Sequence, residues 1–584
     1  MISAWVSNRY KLKYWEKVMN RNIKLCSIML FTFLSVGLMS CGNKGPADLI
    51  LKGDRIYTMD AYQPKVDAVA IREGRIIFAG SEAESEEFQD SDTRVIDLQG
   101  FFVLPGLIDA HAHLSSLGKY LSQLDLIGMQ SPGEIRELVL KEMEGTPESS
   151  WISGRGWDQN LWSTKKFPSW RDLRGTESHP VYLRRVDGHA AWVNKTVLDI
   201  CGIDKNTTAP EGGKIIRDRQ GNPTGVLIDN AINLVKDQLP ATPPQEYRNW
   251  FKKAMKECNR LGLVGLHDAG VDTTRLDVYR ELTESGELTM RIHAMLDGDD
   301  ETLLQEYFQN GPLTYEDDSF FQVRTVKLYA DGALGSRGAA LLEPYSDDPG
   351  NSGLLIRDAD SIYQTASLAI DAGFQVCTHA IGDAAVRATL DAYEKALTEN
   401  PEGDYRLRVE HSQIIASDDI DRFAELKVIP SMQPTHATSD MPWAEDRLGP
   451  DRIKGAYAWR QLLNRGCKIP CGSDFPVESP NPLWGIYAAA TRQDHQGQPP
   501  GGWYPQERMT VEEAVRGFTI DAAYAEFAED IKGSIEVGKL ADFTIVDRDI
   551  FRIPRAEILE TKVVGTIVGG KIVYADLVMK DLIP

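Results

Sequence analysis

Eight short apolar segments constrain the fold of this chain more than any other feature. They read FVLPGLIDAH (102–111), LVGLHD (263–268), RIHAMLD (291–297), VRTVKLYADG (323–332), FQVCTHA (374–380), LRVEHSQ (407–413), VIPSMQP (428–434) and KIPCGSDFP (468–476). Short, nearly continuous apolar runs suit strands buried on both faces. Helical stretches such as Asp383–Thr398 and Asp418–Leu426 lie between several of them. Eight strands alternating with helices predict an α/β fold, a (β/α)8 TIM-type barrel. One long interval, 115–262, separates the first two segments. It holds strand-like pieces of its own (WISGRGW, VYLRRVDGHAAWV) and a helix near Gln245–Gly262, and is expected to be an insertion within a barrel domain spanning 102–532.

The pattern differs outside that domain. From Ala47 the chain reads as short strands and turns punctuated by Gly74 and Gly80, and the last fifty residues repeat the style. Segments 47–101 and 533–584 are therefore expected to pair into one composite β-sandwich, since domain termini often lie close together.

Residues 1–40 read as a targeting segment. A basic region from Arg9 to Lys24 leads into an apolar run, Cys26–Met39, that is too short for a comfortable permanent span. Met19 would give a more usual signal length. The run ends Leu38-Met39-Ser40-Cys41-Gly42, which resembles the lipobox of bacterial lipoproteins. That resemblance implies cleavage before Cys41, a lipid on its sulfur and a place in the cell envelope, anchored to a bacterial membrane. The net charge of −22, from 64 basic and 86 acidic residues, argues against nucleic acid, which needs concentrated Lys and Arg. Beyond Cys41 there are five cysteines, Cys201, Cys258, Cys377, Cys467 and Cys471, whose spacing suggests no disulfide framework. A homo-oligomer is compatible with the sequence but not indicated by it.

Barrel enzymes place their chemistry at the C-terminal ends of the strands. Read in order, those ends carry His111 and His113, Lys327, His379, His411 and Asp474. On an extended strand, residues two apart point the same way, so His111 and His113 can face one ion together. An isolated HxH pair also occurs on solvated loops, and a lone histidine such as His293 reads as a core residue. The set as a whole reads as a metal centre. His267 and His436 also fall at rim positions and are expected to be second-sphere or substrate-facing groups.

These residues sit in motifs that together carry a resemblance. PGLIDAHAHL, VDGHAAWVN, VKLYADGALGSRGA, THAIGDAA, VEHSQ, SMQPTHA, GSDFPV and GSIEVGKLADFTIVD resemble the amidohydrolase superfamily, in its family-3, YtcJ-like branch. The resemblance covers nearly all of the chain after the leader. It implies His111, His113 and Asp474 on one metal, and His379 with His411 on a second. Lys327 would bridge them as a carboxylated lysine, because an ammonium has no lone pair to offer. Asp331 is either the buried counterion of Lys327 or a substrate contact. The resemblance also offers Asp187, His189 and Trp192 as substrate contacts, with His189 polarising a carbonyl; a structural turn accounts for them equally. Trp157, Trp443 and Trp459 fit either an apolar pocket or the core.

The expected activity is hydrolysis of a non-peptide C–N bond, in an amide, N-formyl or N-acyl amine. A metal-activated hydroxide attacks, with Asp474 as general base and then acid. Zinc suits histidine and carboxylate ligands best, one or two ions per chain, and manganese, iron or cobalt also fit. Rivals within the fold are cyclic imide or carbamate hydrolysis, isomerisation and a peptidase role. Outside it stands a non-catalytic lipoprotein that binds a solute or metal.

Overall fold

The computed structural model describes residues 45–583 other than 187, 211, 240 and 316–319. The leader, Cys41 and Asp187 lie outside the described residues. Seven parallel strands form a curved sheet in the order Ile429–Ser431, Arg408–His411, Gln375–Ala380, Phe321–Tyr329, Arg291–Asp297, Leu263–Val271, Leu107–Ala112. The eighth apolar segment closes it. Met432 N donates to Pro470 O (3.0 Å) and Gly472 N to Met432 O (3.1 Å) on one side, and Ala110 N donates to Cys471 O (3.0 Å) on the other. All eight segments therefore contribute to one barrel. Burial on both faces explains their apolar character: every residue of Leu107–Ala112 and Arg408–His411 is buried.

The first apolar segment is two strands where the sequence reads as one. Phe102–Pro105 pairs antiparallel with Phe543–Val546, and only Leu107–Ala112 joins the barrel. The chain changes sheets at Gly106, where a Cβ would lie 2.4 Å from Val264 Cγ2. A side chain at this point would collide with the barrel wall.

Strands from both ends of the chain form the accessory β-sandwich. Its path runs Lys571–Ala575, Val563–Val568, Phe543–Val546, Phe102–Pro105, Leu49–Tyr57, Lys65–Arg72, Arg75–Gly80, with Arg94–Asp97 paired beside Leu49–Tyr57. The interval 115–262 contains a separate six-stranded sheet, from Leu124–Asp125 to Pro223–Asp229, with an apolar cluster on each side. Its flanking helices belong to the barrel instead. Leu114–Ser122 and Pro244–Arg260 bury Leu114, Leu117, Phe251, Ala254, Met255 and Cys258 in the barrel core. The spacing 251, 254, 255, 258 puts those side chains on one helical face. Among the described residues, no helix is long and apolar enough to cross a membrane. The five cysteines after Cys41 are all free thiols.

Candidate metal centre

The strand ends open into a cavity of about 340 Å³ lined by His111, His113, Lys327, His379, His411, His436 and Asp474, with Tyr329 and Trp443 on its walls. Strand alternation aims His111 into the barrel, while Ala110 and Ala112 are packed on its other side. Three side-chain atoms, one each from His111, His411 and Asp474, lie within 4.8 Å of one another. His113 Nε2 is 3.2 Å from Asp474 Oδ1, and His111 Nε2 is 3.9 Å from the same oxygen.

Hydrogen bonds fix which nitrogen each ring presents. His111 Nδ1 donates to Glu410 Oε2 (2.5 Å), His113 Nδ1 to Ala269 O (3.2 Å), and His411 Nδ1 to Gln433 Oε1 (2.8 Å). Each ring therefore keeps a lone pair on Nε2, as a metal ligand requires. His379 differs. Its Nε2 lies 3.4 Å from Asp331 Oδ1 and 3.5 Å from Gly332 O, which leaves Nδ1 for coordination. Its ring centroid is 4.5 Å from that of His411. The compact cluster thus takes one histidine from each of the two sets that the motifs imply.

Burial keeps the imidazoles of His111 and His411 in their ligand forms. It pushes His111 down to about 4, with the neighbouring Lys327 acting in the same direction and Glu410 opposing. Burial, followed by the adjacent His379, holds His411 well below the usual imidazole range. Lys327 is 1% exposed, burial lowers its amine, and its Nζ is 3.2 Å from His111 Nε2. Burial alone would raise the Asp474 carboxyl. The imidazoles gathered around it, His113 first with Nε2 3.2 Å away and then His111, His411 and His436, outweigh burial and hold that carboxyl well below its usual range. A carboxylate and the two neutral imidazoles of His111 and His411, with Asp474 Oδ1 buried and lacking a hydrogen bond among the described residues, make a donor set that fits a divalent ion.

The first and eighth strand ends are pinned together. Asp109 accepts from His111 N (3.1 Å), Ser473 N (3.0 Å) and Ser473 Oγ (2.6 Å), and burial pushes it up to about 7. Asp474 N donates to His111 O (2.8 Å). Gly472 leaves room for this junction, since a Cβ there would lie 2.6 Å from Asp109 Oδ1. His411 and Asp474 both adopt left-handed backbone, at φ 72° and 59°. Non-glycine residues rarely do so, and such conformations collect at functional sites.

Four residues expected to face the substrate are not among those lining the cavity. His267 is 0% exposed inside the barrel, 2.9 Å from Arg408 and 3.4 Å from Glu526 Oε1. Its strand continues to Val271, so His267 pairs with His293 one layer below the mouth. Asp331 accepts from Ala340 N (2.9 Å), Ile381 N (3.0 Å) and Gly382 N (2.8 Å), which makes it a loop anchor. His189 is exposed in the insertion, with Nδ1 2.8 Å from Asp229, and is not among the cavity-lining residues. Trp192 is buried in the insertion core and donates to Ser169 O (3.0 Å). Trp157 and Trp459 are likewise buried in cores, whereas Trp443 lines the cavity. Glu410, Gln433, Gln413, Asp440 and Glu478 bear on the site and were not singled out by sequence. Glu410 stands inside the VEHSQ motif, beside His411.

The sequence pattern described as "Amidohydrolase family" matches residues 94–574. The Bacillus subtilis protein YtcJ is 32% identical over 533 residues, covering 90% of this chain and 99% of its own. The N-substituted formamide deformylase of Arthrobacter pascens is 27% identical over 546 residues, covering 90% of this chain and 98% of its own. A metal-dependent hydrolase of uncharacterised function from Pyrococcus furiosus superposes with a TM-score of 0.73 at 30% identity, covering 86% of this chain and 100% of its own.

Proposed function

The chain belongs to the amidohydrolase family, and on that premise we propose that it hydrolyses an amide-type C–N bond, in an N-formyl or N-acyl amine, with a bound divalent metal. The observation that carries the proposal is the convergence of His111, His411 and Asp474. The deformylase named among its relatives points to the same bond class.

His111, His113, His411 and Asp474 would hold the ion, with His379 offering a second position. Such an ion would acidify water and polarise a carbonyl. Asp474 accepts the proton of the attacking water and returns it to the departing amine, a task suited to a carboxylate whose Oδ1 has no hydrogen bond among the described residues. Ala333, Leu334 and Ile381 give the cavity apolar walls that keep bulk water from the reacting bond. Asp440 and Glu478 add carboxylates to the lining, and no arginine lines it among the described residues. The cavity therefore suits uncharged or cationic amides better than those carrying a carboxylate.

The finer features of the proposal are two. Lys327 joins the ligand set after its amine adds CO2 and releases a proton, becoming a carbamate; its burial favours the neutral amine that this reaction needs. Cys41 carries a lipid that attaches the protein to a membrane of the cell envelope, a reading supported by the leader and lipobox.

Elemental analysis of the purified chain is expected to find one or two zinc equivalents. Chelation should abolish turnover of N-formyl amines, and zinc with bicarbonate should restore it. A panel of amides, imides, carbamates and dipeptides then tests the bond class. Protein that neither contains nor rebinds metal, yet hydrolyses amides, would overturn the proposal.

A further inference from the structure

We propose that His436 is a catalytic hydrogen-bond donor, supplying its Nε2–H to the carbonyl oxygen of the substrate as that oxygen gains negative charge. The inference rests on the amide-hydrolysis proposal and adds a residue that the metal set does not use.

His436 lies in the first turn of the helix Pro434–Asp440, which follows the seventh barrel strand. It is 7% exposed and lines the cavity beside the ligands, its ring within 17° of parallel to that of His411. Its tautomer follows from its partner. Nδ1 lies 3.1 Å from Gln413 Nε2, an amide nitrogen that can only donate. Nδ1 therefore accepts, which places the ring proton on Nε2.

That Nε2–H has no hydrogen-bond partner among the described residues. The nearby Asp474 Oδ2 is 3.8 Å away, beyond hydrogen-bond reach. Buried donors in folded proteins are nearly always satisfied, so one left open at a cavity wall is a place for a ligand acceptor. A protonated nitrogen has no lone pair, which removes Nε2 from the ligands. It differs in this from His111, His113 and His411, whose Nδ1 atoms carry the proton and whose Nε2 atoms do not.

An oxygen acceptor in an amide is its carbonyl, and the charge on that oxygen grows as the carbon becomes tetrahedral. A donor already in place stabilises the later state more than the earlier one. Gln413 is the positioning residue. It is 5% exposed and its own carbonyl accepts from Tyr457 N (2.7 Å), which fixes the backbone that carries its amide.

The test compares the metal-loaded full chain with His436→Phe, which keeps a ring but lacks the donor, and His436→Gln, which restores an N–H. Metal content, kcat and KM on an N-formyl amine, and the affinity of a tetrahedral phosphonamidate analogue are measured for each. His436→Phe is expected to keep its metal and its KM within a few-fold. Its kcat and its affinity for the analogue should both fall on the order of 10²–10³-fold, the usual effect of losing one such donor. His436→Gln should recover part of both. A kcat within threefold of wild type in His436→Phe would overturn the role of His436 while leaving amide hydrolysis intact. Loss of metal in parallel with kcat would overturn it too, by making the residue structural. If the wild-type chain hydrolyses no amide on the panel, the amide proposal itself fails and the role of His436 falls with it.

Discussion

Three imidazoles face the cavity with the same nitrogen because three acceptors hold the other one. Glu410 is the strongest of these anchors. It is fully buried, and Arg408 lies 2.8 Å away, so its carboxyl is held well below the usual range even though burial pushes it up. Glu410→Gln keeps an acceptor but removes the charge, and should weaken metal binding about 10- to 100-fold, as loss of such an outer partner does; a chelator competition reads this directly. Asp474→Asn should behave in the opposite way. Asparagine tolerates the left-handed backbone at this position, so most of the metal should stay while kcat drops by on the order of 10²–10⁴-fold. Full turnover in that variant would remove Asp474 from the chemistry. His111, His113, Lys327, His379, His411 and Asp474 are legible in sequence because each is a polar group at or near the end of an apolar run. Glu410 is not, since a glutamate within such a run carries no periodic signal, and its partner His111 is 299 positions away.

The barrel strands carry a second polar layer beneath the centre, and here the element decides the chemistry. His293 is 0% exposed, with Nδ1 2.7 Å from Gln322 Nε2 and Nε2 2.7 Å from Thr325 Oγ1, which in turn donates to Gln375 Oε1 (2.7 Å). The glutamine amide donates to Nδ1, so a protonated ring would set one N–H against another. Burial is the larger effect, and His293 is held well below the usual imidazole range. In the unfolded chain it titrates near 6.5. Below that pH the unfolded state binds the extra proton, so the contribution of His293 to stability is full above about 6.5 and shrinks by about 1.4 kcal/mol per pH unit as the pH falls. The melting-temperature difference between wild type and His293→Gln should therefore move in favour of the variant between pH 7.5 and 5.5, whatever its starting value. A pH-independent difference would mean that the ring is not held neutral. Sequence places His267 at the rim and His293 in the core, yet the two are paired neighbours in one layer. An apolar run reveals that a strand exists but not how far it extends past a given residue.

At the scale of the whole molecule, the chain closes on itself where the barrel meets the terminal sheet. Alternation of strands and helices made the barrel legible, and matching strand-rich ends suggested a shared sheet. The transfer of Phe102–Pro105 to that sheet was not legible, because both halves of the segment are equally apolar and the change depends on contacts with residues more than four hundred positions away. Asp542 sits at this junction. Its carbonyl accepts from Gly106 N (2.9 Å), and its carboxylate grips Arg291 through Nε (2.7 Å) and a second nitrogen (2.9 Å) while accepting from Gly569 N (2.8 Å). Both side chains are almost fully buried. Removing one partner of such a pair strands a charge, whereas removing both need not. Arg291→Met should therefore cost about 3–5 kcal/mol and lower the melting temperature by several degrees. Adding Asp542→Leu should return most of that loss, with the Gly569 N–H left as the residual penalty. If the double variant is no more stable than Arg291→Met alone, the stranded carboxylate is not the source of the loss. The cation over Phe320, 4.6 Å from its ring centre, would then be the contact that holds the sheet to the barrel.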